Sequence, residues 1–356
     1  MIKQLVTGGL LIVIFTKIIF SQDEFFEAGY SIGGYGELHY NSIEVGANDA
    51  VKRLDFHRFI IYYGYNWTEK WSFKSEVELE HNYVRDGQGE LELEQAYVNY
   101  HTDNFGFQAG VVLPSVGLIN EYHEPPLFFS VERPEYAKYI IPTTWFGNGL
   151  AFYGQFKDIS WKFVLHEGLN GDGIAADISQ AIRGGRQKGY KANAEELLYN
   201  TRLAYTGFSG LRLGGSYSMT KALRLEERDM PIDVSLLEIH AKYDASDIMA
   251  VFEWGNISYT NHVSNSSSGY YLDFGYNIGK IINLDGKLYP WVRVTNLNLA
   301  KGHESEAKFN FKKTMFGLIY KPINQVAFKL DYGTKKFSDK EKDSVKMLNL
   351  GVGYNF

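Results

Sequence analysis

Charged side chains recur at every second position in several stretches of the chain, with apolar side chains between them. In the stretch 70–83, Lys74, Glu76 and Glu78 alternate with bulky apolar residues. Two residues is the side-chain repeat of a β-strand, so the charges share one face and the apolar groups share the other. A row of fixed charges provides no reacting group. Its chemistry is an electric field that attracts or repels dissolved ions.

The basic residues on these charged faces are candidates for attracting anions. Three successive predicted strands each have a basic residue a few positions from a short turn: Lys162, Arg202 and Arg212. This placement predicts that the three side chains form a basic ladder. Arg58 and Lys74 add basic groups on an earlier hairpin. Two neighbouring strands form a predicted acidic wall: Glu76, Glu78, Glu80, Glu90, Glu92 and Glu94. If the basic and acidic residues face each other across an enclosed space, the electric field between them would favour polar solutes. The alternative is that these charges balance one another inside a polar interior.

Segments of roughly ten residues with the same alternation recur along nearly the whole chain. The last one has Leu348, Leu350, Val352, Tyr354 and the terminal Phe356 on one face, with small or polar residues on the other. Repeated amphipathic strands of this length are typical of a closed barrel whose outer face meets lipid. In hydrocarbon every backbone N–H and C=O must be paired, and only closure removes the free edges of a sheet.

Composition agrees with a barrel. Aromatic residues make up 16% of the 356 residues, mean hydropathy is −0.26, and Gly is much more frequent than Pro, at 36 against 8. Beyond the N-terminus there is no apolar run of 18 residues, which excludes helical spans. The absence of Cys excludes disulfides and thiolate metal sites. A net charge of −6 gives no reason to expect nucleic-acid binding.

The first 21 residues are predicted to be a signal peptide, because a basic start precedes an apolar stretch and a plausible cleavage site after Ser21. A single N-terminal membrane anchor is the alternative. The predicted mature protein, 22–356, has short turns alternating with longer polar connections. This asymmetry predicts an all-β, transmembrane antiparallel barrel of about 16 strands, with short turns and both termini on the periplasmic side.

One long connection, 114–145, is the candidate constriction loop, because roughly thirty residues without regular structure are uncommon unless they are functional. Its apolar residues could pack against the wall, and an external lid is the alternative. Its charged candidates are Glu121, Glu124, Glu132, Arg133 and Lys138. A second long connection, 168–196, contains Arg183, Arg186, Lys188 and Lys191, which could attract anions at the mouth or form an ordinary solvated surface.

Three stretches together resemble the phosphate-selective porin O and P family of Gram-negative outer membranes. They are Asp55–Gly64 continuing to Glu78, Glu94–Tyr100 with Phe107–Gly117, and Glu124–Gly154. The resemblance implies a sixteen-stranded channel, often trimeric, with a loop folded into the lumen. The arrays of basic residues found in that family are only thinly represented here.

These observations predict an outer-membrane porin for passive diffusion of small hydrophilic solutes, including anions such as phosphate. The alternative is a plugged barrel acting as an adhesin or structural protein. The expected partners are outer-membrane lipid, small solutes and, by resemblance, a homotrimer. We expect no enzyme activity, cofactor or metal. In particular, His123 near Glu121 and Glu124 lacks the paired His spacing of a metal site.

Overall fold

The computed structural model describes residues 28–85, 87–225 and 227–356, so the predicted signal peptide lies outside the described residues. Sixteen strands form one closed antiparallel barrel, in which each strand pairs with the next and the first pairs with the last. The strands are β1 (Gly29–Val45), β2 (Val51–Asn66), β3 (Trp71–Arg85), β4 (Gln88–His101), β5 (Phe105–Val112), β6 (Gly147–Phe156), β7 (Ile159–Glu167), β8 (Leu197–Phe208), β9 (Leu211–Ala222), β10 (Ile232–Ala245), β11 (Ile248–Thr260), β12 (Ser266–Tyr276), β13 (Lys287–Lys301), β14 (Asn310–Ile323), β15 (Val326–Phe337) and β16 (Val345–Asn355). The predicted fold class and strand count are confirmed.

The connections differ between the two ends of the barrel. At one end the β2–β3, β4–β5, β6–β7, β8–β9, β10–β11 and β14–β15 turns have two to four residues, and only the β12–β13 connection is longer. The opposite end has the two longest connections, 113–146 between β5 and β6 and 168–196 between β7 and β8. The other connections at that end have five to nine residues, except the β3–β4 turn, which has two. The expected alternation of short turns with longer loops is therefore present except at β3–β4.

In the part of the chain that the structure describes, helices are confined to connections. They are α1 (Tyr136–Tyr139), α2 (Gly171–Ala176) and α3 (Glu306–Phe309), with 3₁₀ turns at Pro125–Leu127, Ile178–Gln180 and Arg183–Gly185. Among the residues that the structure describes, no helix is long and apolar enough to cross a bilayer.

The outside of the barrel is apolar, as alternation predicts. On β12, Tyr270, Leu272 and Phe274 are exposed on the outer surface, whereas Tyr271 and Asp273 between them are buried inside. The C-terminal strand shows the same division. Because the sheet closes, its outer face presents side chains and no unpaired strand edge to the surroundings.

The long connection 113–146, hereafter the inner loop, lies inside the barrel. Its apolar side chains and those of several strands form a buried cluster within the lumen, on the side of β8 to β14. From the inner loop the cluster includes Val116, Tyr136, Ile140, Ile141 and Trp145. The β7–β8 connection also contributes, through Leu169, Ile174, Ala181 and Ile182. This second loop therefore folds onto the inner loop, which its polar composition did not predict.

Candidate functional site

Buried carboxylates on the lumen wall hold the backbone of the inner loop. Asp331 accepts a hydrogen bond from the Val131 backbone N–H at 2.7 Å. Glu238 and Glu253 accept from the backbone N–H groups of Gly117 and Leu118, at 3.1 and 3.0 Å. Burying a carboxylate without partners is unfavourable, and a loop with free N–H groups needs acceptors, so each satisfies the other. These contacts are on the neighbouring strands β10 and β11 and on β15, which is four strands further round the barrel.

A buried arginine holds the middle of the inner loop. Arg293 binds both oxygens of Asp273 at 2.6 Å and donates a third hydrogen bond to the Ser130 hydroxyl at 2.5 Å. Lys329 donates to the Ser130 carbonyl at 2.7 Å. A guanidinium with its carboxylate in a bidentate geometry is rigid, so it fixes the position of Ser130 relative to the wall.

Inward-facing glycines of the wall make room for the loop. A Cβ at Gly275 would lie 2.4 Å from the ring of Phe129, and one at Gly353 would lie 2.3 Å from Pro125. Both distances are too short for a residue with a Cβ at either glycine position, unless the inner loop shifts. The small residues that alternate with apolar ones along β12 and β16 thus have a packing role, because the inner loop sits against them.

The predicted acidic wall on β3 and β4 also contacts the inner loop. His123 lies 3.2 Å from Glu76 and 3.4 Å from Glu94, and all three side chains are buried. Burial alone lowers the pKa of His123, but hydrogen bonds to the two carboxylates raise it to about 10. His123 is therefore an imidazolium at neutral pH, and it neutralises part of the wall.

Arg58 lies within this acidic wall, although the sequence placed it among the basic candidates. It contacts Glu37 at 2.7 Å, Glu78 at 3.1 Å and Glu80 at 3.7 Å. With three carboxylates around it, Arg58 is not available to attract an anion. Lys74, by contrast, is exposed and lines a cavity of about 250 Å³ that also involves Glu76.

The three residues of the predicted basic ladder lie together beneath the inner loop, near the short turns. Lys162 pairs with Arg202 in the strand register and binds Glu121 of the inner loop at 2.5 Å. Burial raises the pKa of Glu121, but Lys162 and Arg202 outweigh it and lower the pKa overall. Arg212 stacks over Tyr122 of the same loop, 5.9 Å from its ring centre.

The ladder has a fourth member that sequence reasoning missed. Lys242 is the register partner of Arg212 and lines, with Arg212 and Tyr122, a cavity of about 260 Å³ below the inner loop. Continuing the alternation into β10 would have identified it. The Nε atoms of Arg202 and Arg212 have no hydrogen-bond partner among the described residues, so both guanidinium groups keep donor capacity.

The remaining loop candidates occupy different surroundings. Glu132 lies 3.0 Å from His39 and accepts from Asn41 at 2.9 Å. Its burial raises the pKa, but the bond to His39 lowers it to about 2. Arg133 reaches the hydroxyl of Tyr35 at 3.3 Å. Glu124 precedes a 3₁₀ turn, and Lys138 is exposed over the ring of its neighbour Tyr139.

Two basic residues of the β7–β8 connection bind the inner loop instead of forming a solvated patch. Arg183 donates to the carbonyl of Thr143 at 2.5 Å, and Arg186 donates to those of Pro142 and Thr144 at 3.1 and 2.5 Å. Lys188 binds Glu90 and Glu92 of the acidic wall. The sequence indicated basic residues here but gave no signal for their acceptors, because backbone carbonyls have no sequence signature.

Comparison with known proteins identifies one relative by sequence. An uncharacterized protein of Aquifex aeolicus (strain VF5) is 31% identical over an alignment of 343 residues that covers 89% of this chain and 78% of that protein. No protein-family model matches the chain.

Solved structures similar to this barrel are porins and channels. OmpF of Salmonella typhi in complex with daunomycin superposes with a TM-score of 0.64 at 13% identity, over 92% of this chain and 97% of that one. The anion-selective porin from Comamonas acidovorans gives 0.62 at 12% identity, over 93% and 100%. The outer membrane channel DcaP of Acinetobacter baumannii gives 0.62 at 11% identity, over 92% and 97%. At such identities the similarity concerns the fold.

Proposed function

Since the chain belongs to the same family as the uncharacterized Aquifex aeolicus protein and forms a sixteen-stranded porin-like barrel, we propose that it is an outer-membrane porin. It allows small hydrophilic solutes to diffuse passively across the membrane. The inner loop sets the upper limit on solute size, because it narrows the lumen between the external mouth and the periplasmic end. The protein is not an enzyme in this proposal, and its partners are lipid and dissolved solutes.

The observation that supports this proposal most strongly is the position of the inner loop. A closed barrel of sixteen strands is wide enough for an aqueous channel when its lumen is not otherwise filled. Here a loop of defined conformation occupies the middle of the lumen and is hydrogen-bonded to the wall by Glu238, Glu253 and Asp331. Selectivity in a channel depends on pore radius and on the charges at its narrowest part. The inner loop would determine both.

Anions, with phosphate among them, are the solutes that the lower part of the lumen favours. Lys162, Arg202, Arg212 and Lys242 are on four neighbouring strands. Of the carboxylates near them, Glu121 is bound to Lys162, and Glu238 and Glu253 accept hydrogen bonds from the backbone of the inner loop. Basic side chains on four neighbouring strands would raise the local concentration of small anions.

The plugged barrel remains a second candidate because of the buried apolar cluster inside the lumen. Residues of the inner loop, the β7–β8 connection and strands β8 to β14 meet in that cluster, which excludes water from one side of the bore. On the other side His123 and Arg58 are buried among carboxylates. If these contacts close the bore completely, the protein would serve as an adhesin or a structural barrel.

Recordings in planar lipid bilayers test the proposal. The purified, folded protein should produce stepwise increases in current that are linear in voltage. A homotrimer, the form of the in-vitro folded outer membrane protein OmpT of Vibrio cholerae, which has a similar barrel, would produce steps in groups of three. A bilayer that stays sealed after insertion of folded protein would reject the channel and favour the plugged barrel.

A further inference from the structure

Three side chains on the external half of the lumen wall are arranged like the ligands of a transition metal. Asp55 and His57 are on β2, and His81 is on β3. Oδ2 of Asp55 lies 3.2 Å from Nδ1 of His57 and 2.8 Å from Nδ1 of His81. We propose that Asp55, His57 and His81 bind a divalent transition-metal ion such as Zn²⁺. This proposal does not depend on whether the lumen is open.

Two irregularities in the sheet bring these ligands together. Between β1 and β2 the register shifts so that Glu37 pairs with Arg58 but Leu38 pairs with Phe56, which leaves His57 as an extra residue. In β3 the backbone φ of His81 is +60°, and the register with β4 shifts just after Glu80. Bulges of this kind re-aim side chains and are frequent at functional sites.

The bulge at His81 overturns an expectation from the alternation of β3. Strict alternation places His81 on the lipid-facing side with Trp71 and Val77. In the structure its imidazole instead turns to Asp55 and packs edge-on to His57, with ring centres 5.3 Å apart. A positive φ is unusual for a residue with a side chain, so this geometry has a conformational cost that a bound ion would offset.

A second set of ligands adjoins the first and extends to the inner loop. The ring of His39 stacks on that of His57 with centres 4.7 Å apart, and His39 contacts Glu132 of the inner loop at 3.0 Å. Ligand atoms of His39, His57 and Glu132 lie within 4.8 Å of one another, as do those of Asp55, His57 and His81. His57 belongs to both sets, so an ion could move between them through one shared imidazole.

The ligand types and their exposure select the class of ion. Two imidazoles and one carboxylate suit Zn²⁺, Co²⁺ or Ni²⁺, whereas Ca²⁺ and Mg²⁺ prefer oxygen ligands alone. The side chains of Asp55, His57 and His81 are 29%, 21% and 44% exposed, so an ion can reach them from water. The group of Glu76, Glu94 and His123 is a poorer candidate, because all three side chains are buried and an ion cannot reach them from water.

Binding requires a rearrangement of protons that the surroundings permit. Nδ1 of each imidazole must lose its hydrogen to the second ring nitrogen, or to solvent, before it can bind a metal. Nε2 of His57 now accepts from Arg58 at 3.0 Å, so that contact must break. Arg58 retains its contacts with Glu37, Glu78 and Glu80, and these carboxylates with Asp55 keep the region favourable for a cation.

Titration of the purified full chain, prepared without a histidine tag, tests the proposal. Co²⁺ should give the visible absorption of a site with nitrogen ligands, and Zn²⁺ should displace it at one equivalent per chain. His81→Asn should weaken Zn²⁺ binding by at least ~10-fold, a loss expected when a metal site loses a contributing group. Asn tolerates a positive φ, so this variant keeps the bulge.

The matched control is His101→Ala, which removes an exposed histidine at the opposite end of β4. It should bind Zn²⁺ as the wild type does. Asp55→Asn is a second test that leaves both imidazoles in place, and it should also weaken binding. Heat-dependent mobility in detergent gels verifies that each variant is a folded barrel. The proposal is overturned if folded wild type shows no saturable binding, or if His81→Asn and His101→Ala bind equally well.

Discussion

At the scale of single residues, the lumen contains two kinds of basic side chain. Arg58 and Arg293 are enclosed by carboxylates and have a structural role. Arg212 lines the cavity below the inner loop, and neither Arg202 nor Arg212 forms an ion pair with a carboxylate among the described residues. We expect only the second kind to influence passing ions. Sequence alone could not separate the two kinds, because the difference depends on partners from distant parts of the chain.

This distinction predicts which arginines control ion selectivity. We expect the double variant Arg202→Gln with Arg212→Gln to shift the reversal potential in a salt gradient toward cations. Removing a charge several ångströms from the ion path in a water-like medium alters relative permeability by about two- to threefold per charge. Lys340→Gln, in the exposed β15–β16 connection, is the control and should have no effect. An unchanged reversal potential in the double variant would mean that the ladder does not face the ion path.

His123 predicts a pH dependence for the docking of the inner loop. Its folded pKa of about 10 is above the ordinary value of 6.5. The stabilisation from protonated His123 is therefore complete below about pH 6.5, declines as pH rises, and is lost above about 10. We expect the wild type to have a higher unfolding temperature than His123→Gln at pH 7, with a difference that shrinks as pH approaches 10.5. Comparing the two proteins at each pH cancels the titration of other groups. A difference that stays constant over this range would contradict the assignment of an imidazolium.

At the scale of elements, the inner loop behaves as an internal part of the barrel. Most of its side chains are buried, and its partners include residues on β1, β3, β7, β10, β11, β13 and β15. The family resemblance implied its inward position, and its length and apolar residues such as Phe129 and Trp145 were compatible with packing against the wall. It could not predict the anchors, because hydrogen bonds between Val131 and Asp331 join residues 200 positions apart.

A disulfide can test this position directly, since the chain has no Cys. A Cβ at Gly351 would lie 2.9 Å from a Cγ of Val131, which is close to the spacing that a disulfide needs. We therefore expect Val131→Cys with Gly351→Cys to form a disulfide in the folded barrel, and mass spectrometry of the linking peptide would identify it. The control pair is Val131→Cys with Leu350→Cys, because Leu350 faces outward. Free thiols in both pairs would place the inner loop somewhere other than against β16.

At the scale of the whole molecule, a two-residue repeat was sufficient to predict the barrel. The outward rows such as Leu348 and Leu350 and the alternation of turns with loops gave the class and the number of strands. The repeat could not predict which segments of the chain pack inside the barrel. The β7–β8 connection is polar in composition, yet Ile174 and Ile182 pack into the lumen cluster. The bulge at His81 is also invisible to a rule that assumes strict alternation.

Swelling of proteoliposomes in sugar solutions shows directly whether a water-filled path continues past the inner loop. If the path exists, vesicles containing folded protein should swell rapidly in a pentose and progressively more slowly in di- and tetrasaccharides, since the inner loop limits size. Vesicles that exclude even the smallest sugar, with the barrel shown to be folded, would contradict the proposed porin function.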